Sequence, residues 1–366
     1  MINVAIVGCG NIAHSHIEAY LTFSKRCQIK YLIDADPVKA SGLKSRYKLD
    51  QTIITADYQR VLDDSTVMLI SICLPPALHA AMTIAALNAG KDVLCEKPMA
   101  LSVAECDEML AAQKQSGKIL SIVAQNRFQD RLWKLKQIID TGLIGKILHV
   151  QVDSFWWRGH AYYDKPWRGT WQSEGGGATL SQAVHNIDML NWFIGLPRYV
   201  TAVLANVDHD NAEVEDLSVA VLQYQRGTIA TVTSSTVHHG QRRQIIIQGQ
   251  KAMIAAPWQL IAEAPDADGF PLNGGAREVT SEIGEYYSKL RSLKYTLYDG
   301  QIEDVLNAIE TNSMPLVTGV EGRQAIALIS AIYAAGSRSQ TISFPLATTD
   351  PFYQQGGRER FAPHFH

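Results

Sequence analysis

The stretch NVAIVGCGNIA, residues 3–13, decides how this chain is read. Residues 3–7 form a short β-rich run, and residues 13–23 have the apolar spacing of a helix. Between them stands G-x-G-x-x-A: Gly8, Gly10 and Ala13. Gly8 permits a tight turn out of the strand. Gly10 lets backbone approach a pyrophosphate, which the helix start at Asn11 and Ile12 attracts through free N–H groups and the helix dipole. Ala13 occupies the usual place of a third glycine. Strand, glycine turn and helix so early in the chain point to a dinucleotide-binding half.

The alternation continues outward. Residues 28–33 read as a second strand closed by Asp34, at the distance expected of an acid that holds adenosine ribose hydroxyls. Asp34 and Asp36 are also candidate helix caps, and the cap reading is preferred for Asp36, which precedes Pro37. No Arg or Lys follows until Lys39, which disfavours a 2′-phosphate. The expected cofactor is therefore NAD, with NADP possible. Residues 52–55 and 67–73 read as strands, the latter (VMLISIC) almost wholly apolar, as in a parallel sheet covered on both faces. Leu74-Pro75-Pro76 breaks it before a helix over 77–88. His79, at that helix start, is a candidate for the nicotinamide ribose and equally for a surface site. Residues 92–95, a helix over 103–115 and a strand over 118–124 complete a doubly wound parallel sheet.

The segment DVLCEKPM, residues 92–99, carries the chemistry. Pro98 must end the strand, so Lys97 emerges at its carboxyl end, where open α/β sheets hold ligands. Leu74, Pro75, Glu96 and Gln125 stand at strand ends along the same edge and join it as cofactor candidates. The plainer alternative is a solvated Lys97 paired with Glu96.

Bulk properties narrow the class. The 366 residues suit two domains, and 46% hydrophobic with 19% charged residues describes a globular chain, not a disordered one. A net charge of −3 offers no polyanion-binding surface, so nucleic acid is not an expected partner. The five cysteines include no C-x-x-C pair, which argues against a disulfide framework or a zinc site. No apolar run reaches membrane-spanning length, and the N-terminus shows no signal-peptide pattern; the expected location is cytoplasmic.

Past residue 124 the rhythm changes. After a helix over 131–141, strands are expected at 146–155, 199–206, 216–225, 227–235, 242–248 and 251–255, with apolar residues at period two and hairpin turns at Arg226-Gly227 and Gly249-Gln250. The expected architecture is α/β: a nucleotide-binding domain (1–124), an α+β domain with a large, mainly antiparallel open sheet (125–345), and an arm or partly disordered tail (346–366). An open sheet face suggests a homodimer or homotetramer. Within the second domain, Trp167-Arg168, Gly175-Gly176-Gly177 and Ser181, His185 and Asp188 stand out. The last three are spaced to share one helix face, and the plainer reading has Asp188 satisfy a buried His185. Arg127, His160, Tyr162, Tyr163, Gln182 and Tyr286 join Trp167 and Arg168 as substrate-pocket candidates. His364 and His366 lack acids or cysteines nearby in sequence, so no metal site is expected.

These motifs resemble, in order and spacing, those of the glucose–fructose oxidoreductase and inositol 2-dehydrogenase (Gfo/Idh/MocA) family: Gly8–Ala13, Asp34, Glu96-Lys97-Pro98, and the 175–188 stretch ending H-x-x-D. The resemblance implies a Rossmann domain, a second α/β domain with a large open sheet, and NAD(P)-linked oxidation of a secondary alcohol on a sugar, sugar derivative or cyclitol; the lack of a long apolar run leaves no membrane partner expected. It assigns Lys97 and His185 to the hydride-transfer site and sets Trp167 and Arg168 against cofactor or substrate. Lys97, Arg127, His160, Tyr163, Gln182, His185 and Asp188 are the expected substrate contacts. Many polyol dehydrogenases of the family carry Asp where this chain has Ser181, which leaves a Lys–Asp–His set incomplete. Unperturbed proton affinities make His185 the readier base and Lys97 a donor or co-base. Three alternatives stay open: an oxo-sugar reductase, an enzyme that oxidises only transiently to cleave a glycoside, and a non-catalytic NAD sensor.

Overall fold

A computed structural model describes residues 1–272 and 274–366. Six parallel strands, β1 (Ile2–Val7), β2 (Cys27–Ile33), β3 (Ile53–Thr55), β4 (Val67–Ile72), β5 (Asp92–Cys95) and β6 (Leu120–Ile122), form one sheet in the order β3-β2-β1-β4-β5-β6. The apolar runs are explained by burial: Ile6, Leu32, Ile70, Ile72, Val93 and Leu94 are fully enclosed by helices on both faces. The order reverses between β1 and β4, and the carboxyl ends of the strands at such a reversal are where open α/β sheets hold ligands.

The second sheet has eight strands: β7 (Ile147–Trp157), β8 (Tyr199–Ala205), β9 (Leu217–Gln223), β10 (Ile229–Ser235), β11 (Val237–Gly249), β12 (Met253–Ala256), β13 (Gln259–Ile261) and β14 (Ile342–Ser343). Their order is β13-β12-β11-β7-β10-β9-β8-β14, antiparallel except where β7 meets β10. Alternation behaves as the sequence requires. Val200, Ala202, Ala220, Leu222, Ala230 and Val232 face the core, and Val203, Val219, Val221 and Ile229 form an exposed band on the other face.

Two helices link the sheets. Helix Gly319–Arg338 packs against β8, against helix Val184–Ile194 and against helix Val103–Ser116 of the first sheet. Helix Leu297–Thr311 returns to helix Ala13–Thr22, burying Ile302, Val305 and Leu306 with Ile17 and Tyr20. The spacing did not announce β13, β14 or helix Arg277–Lys289. The two strands pair over only three and two residues, and the helix buries only Ile283 completely. All five cysteines are buried and free, and among the described residues no helix is long and apolar enough to cross a membrane.

The expectation of a partly disordered tail is corrected. Phe352, Tyr353, Arg358 and Ala362 are buried, and Arg358 donates to Gly175 O (3.1 Å) and Ser330 Oγ (2.8 Å). His364 lies 2.9 Å from Glu213, an acid distant in sequence. The tail has no internal period because each of its contacts is to a different remote element. Truncation before Pro351 should therefore lower the melting temperature by about 5 °C or more, since each buried aromatic contributes roughly 2 kcal/mol. Differential scanning fluorimetry checks this; an unchanged midpoint would mark a free arm.

Candidate active site

The glycine turn is built for close approach. Gly8 has φ +98°, and a Cβ there would lie 2.5 Å from Cys73 O. Gly10 and Asn11 are exposed, a Cβ on Gly10 would meet only open space, and no side chain caps helix Ala13–Thr22. Asp34 is fixed beside the turn: its Oδ2 accepts from Cys9 N (2.7 Å) and its Oδ1 from Asp36 N (2.8 Å). Asp36 is the helix cap, accepting from Val38 N at 3.0 Å. These residues fit a dinucleotide, with free N–H groups for a diphosphate and a carboxylate oriented at the ribose position.

His79 departs from the reading that set it against a nicotinamide ribose. It is fully buried, with Nδ1 2.7 Å from Pro98 O and Nε2 2.8 Å from Leu74 O. A carbonyl lies against each ring nitrogen; burial lowers the pKa of the ring, so its single N–H donates to one of the two, and neither the ribose nor the surface reading holds.

Lys97 leaves β5 from a tightly held neighbour. The buried Glu96 carboxylate meets His16 Nε2 (3.0 Å), accepts from Tyr298 OH (2.8 Å) and accepts from Lys97 N (3.1 Å). Burial alone would raise its pKa, but His16, Lys97 and Tyr298 bring it down to about 2. The pairing of Lys97 with Glu96 in solvent, the plainer alternative, is excluded by this burial. The Lys97 ammonium is half-buried and donates to Ser181 O at 3.2 Å. Burial lowers its pKa, as does Arg168, while Glu96 and Glu174 oppose the shift.

Lys97 and His185 line one recess together with Val123, Val184 and Asp188. His185 makes no side-chain hydrogen bond among the described residues. Burial and the neighbouring Lys97 charge push its pKa down to about 3, which keeps the imidazole neutral. Asp188 does not satisfy it. Asp188 is held instead by Arg127 through a bidentate pair, Nε to Oδ2 at 2.9 Å and Nη2 to Oδ1 at 2.7 Å, with both side chains buried. Neither is free to bind substrate directly. The helix is also not continuous: Ala178–Ser181 and Val184–Ile194 are separate, and Ser181 bonds to Glu174, Asp188 pairs with Arg127, and His185 is left facing the recess.

Glu174 is the residue that spacing missed, although an acid directly before three glycines was the available signal. It is buried and accepts from Ser181 Oγ (2.6 Å), Arg168 Nη1 (2.8 Å) and Gly169 N (2.8 Å). Burial raises its pKa, with Arg168, Ser181, Gly169 and Lys97 opposing. A carboxylate thus stands behind Ser181, near the charge that the chain lacks at position 181 itself. The Arg168 guanidinium is sandwiched over Tyr162 (4.0 Å) and Trp167 (4.2 Å) and bonds to the Tyr162 hydroxyl. Gln182 Nε2 donates to Tyr162 OH at 2.9 Å.

Buried polar atoms without partners include Arg168 Nε, Gln182 Oε1 and Gln125 Oε1, three groups from the expected cofactor and substrate sets. Other candidates fall elsewhere. His160 is exposed, 3.3 Å from Asp210, because the loop after β7 turns it outward. Tyr163 is buried against His209, with its hydroxyl 3.2 Å from Thr236 Oγ1. Tyr287, not Tyr286, lines the cleft beyond Gln125.

The Arg127–Asp188 pair predicts a stability effect. Arg127→Met should cost about 3–5 kcal/mol by stranding a buried carboxylate, and adding Asp188→Asn should recover part of it. Urea unfolding of both variants measures this. A loss under about 1 kcal/mol with a raised KM would return Arg127 to substrate binding.

Comparison with known proteins places the chain in a family. Residues 2–124 match the model of an oxidoreductase family with an NAD-binding Rossmann fold, and residues 132–255 match the GFO/IDH/MocA C-terminal domain. The uncharacterized oxidoreductase YrbE of Bacillus subtilis (strain 168) is 30% identical over 69% of this chain and 72% of its own length. Inositol 2-dehydrogenase of Burkholderia lata is 23% identical over 96% of this chain and 99% of that protein. The WlbA dehydrogenase of Bordetella pertussis, solved with NADH and UDP-GlcNAcA, superposes with a TM-score of 0.80 at 27% identity, covering 94% of this chain and 98% of that one. With an NAD-binding Rossmann domain, the second sheet of the fold and the glycine, EKP and H-x-x-D motifs in place, this chain is an oxidoreductase and belongs to the Gfo/Idh/MocA family.

Proposed function

We propose that this oxidoreductase is a dehydrogenase that oxidises a secondary alcohol on a sugar, sugar derivative or cyclitol. The observation that carries the reading is one recess lined by a half-buried amine and an unpartnered neutral imidazole, Lys97 and His185, at the carboxyl edge of the nucleotide-binding sheet. The relatives' substrates, an inositol in one case and a nucleotide sugar bound to another, support a polyol ligand.

NAD, when bound, supplies the hydride acceptor. Gly10, Asn11 and Ile12 would hold its diphosphate and Asp34 its ribose, with Gln125, Trp167 and Arg168 along the rest of its path. The neutral His185 imidazole donates its one N–H to the oxygen of the reacting hydroxyl and orients it, leaving the hydroxyl proton to Lys97. Lys97 Nζ, held by Ser181 O, takes the hydroxyl proton. This reverses the expectation from unperturbed values, which made His185 the readier base. Burial lowers both groups, and an imidazole brought to about 3 is too weak, whereas a lysine lowered from 10.5 moves toward working pH. Glu174 acts on Lys97 through charge in the role of a carboxylate at position 181. Gln182, Tyr162 and Arg168 present donors and acceptors to the ring hydroxyls.

The exposed Val203, Val219, Val221 and Ile229 band supports a homodimer or homotetramer formed through the second sheet. Light scattering should give a mass of at least two chains; a monomer at micromolar concentration removes the idea.

Lys97→Met should lower kcat by about three orders of magnitude with NAD binding retained, as judged by NADH formation and by nucleotide titration. Near-full activity would remove Lys97 from the chemistry. In the oxidation direction, kcat/KM should rise with pH as Lys97 deprotonates, with a midpoint below the ordinary lysine value of 10.5. The Glu174 charge favours protonated Lys97, so Glu174→Gln should move that rise to lower pH. A rise that stays in place, or moves up, contradicts the role given to Glu174.

A further inference from the structure

Between helix Asp130–Thr141 and β11, two adjoining recesses share Asn126, Gln129, Arg131 and Arg243 in their walls. The two arginines come from different elements and converge on the same space. Neither has a carboxylate at ion-pair distance among the described residues. Arg131 Nη2 donates to the neutral Gln129 Oε1 at 3.1 Å, and the Arg243 guanidinium lies 5.1 Å from the Trp156 ring. The adjacent Arg242 differs: it pairs with Asp153 at 3.3 Å. The acid on the wall, Asp130, is already engaged by Leu293 N (2.8 Å), Ser292 Oγ (3.1 Å) and Lys134 (3.4 Å).

This space adjoins the reacting groups. Arg243 sits across from Ser154 in the β11–β7 register, Ser154 Oγ accepts from Asn186 Nδ2 at 2.8 Å, and Asn186 is the neighbour of His185. The larger recess is also lined by Tyr298, which donates to Glu96 beside Lys97. The Arg243 charge is close enough to help depress the proton affinity of His185. Two guanidinium groups without acids, among amide walls, present the forked donors that carboxylate and phosphate oxygens take in pairs.

We infer that Arg131 and Arg243 form a subsite for an oxyanion carried by the substrate, so that the favoured substrate is an acidic sugar or cyclitol. The inference rests on the dehydrogenase reading but has its own readout. Glucose, glucuronate and glucose 6-phosphate are compared in two assays. One is turnover with NAD, and the other is calorimetric binding to the NADH-loaded protein, each at low and high salt. At least one acid should exceed the neutral sugar by about tenfold or more, in kcat/KM or in affinity, and salt should erode the difference. The carboxylate and phosphate arms tell which oxyanion is accepted. In Arg243→Met and Arg131→Met the acid-over-neutral ratio should fall by about tenfold, with Arg243→Lys keeping part of it. Both side chains are exposed, so the variants should fold, which circular dichroism checks. Arginine-dependent binding of an acid without turnover would sustain the subsite and count against oxidation of that acid. Oxidation of glucose at least as efficient as of either acid, or ratios unchanged in both methionine variants, would overturn the subsite and leave the dehydrogenase standing.

Discussion

A buried carboxylate governs where the lysine can be. Glu96 is enclosed at the end of β5, and an ion in that position is costly unless every partner is present. Its partners come from three parts of the chain: His16 from the helix after the glycine turn, Tyr298 from the helix that returns late in the sequence, and the backbone N–H of Lys97 itself. His16 also reaches Ser71 Oγ (3.3 Å), which Tyr20 OH meets at 2.6 Å. The same cluster that seats the nucleotide helix on the sheet therefore fixes the direction in which Lys97 leaves it. From the other side, the His79 ring lies against the Pro98 carbonyl, so the turn is flanked at both ends.

The imidazole is positioned by an independent device in the second domain. Glu215 is buried and accepts from Gly177 N (3.0 Å), Thr179 N (2.9 Å) and Tyr333 OH (2.9 Å). The fit excludes any side chain at position 177, where a Cβ would lie 1.7 Å from Glu215 O. Arg358 closes the loop from the C-terminal segment by donating to Gly175 O. Helix Val184–Ile194 is thus referred to helix Gly319–Arg338, which also packs on the first sheet. Two groups from separate domains share one recess because each domain is keyed to this helix.

What the residues made legible follows from the physics of local pattern. Parallel strands buried on both faces announce themselves as apolar runs, and period-two alternation marked most strands of the second sheet. The place of Asp34 beside the glycine turn was legible because the strand that precedes it was. Partners were not. Spacing grouped Asp188 with His185 on a helix face, but Asp188 belongs to Arg127, and a break at Gln182-Ala183 separates Ser181 from the rest. The absence of aspartate at position 181 read as a missing charge, whereas a buried glutamate seven residues earlier supplies one nearby. Both failures have one cause: periodicity says which way a side chain points along its own element, and nothing about what another element brings to meet it. The ordered tail escaped notice on the same ground.

The proposed chemistry requires the Lys97 amine and the His185 imidazole to meet at one reacting hydroxyl beside the nicotinamide. A crystal structure of the protein with NADH and a bound polyol tests it most directly. Lys97 Nζ and one His185 ring nitrogen should both lie within hydrogen-bond reach, about 2.6–3.2 Å, of the same substrate oxygen, whose carbon faces the nicotinamide. A nicotinamide seated away from Lys97, or a substrate oxygen met by neither group, would contradict it.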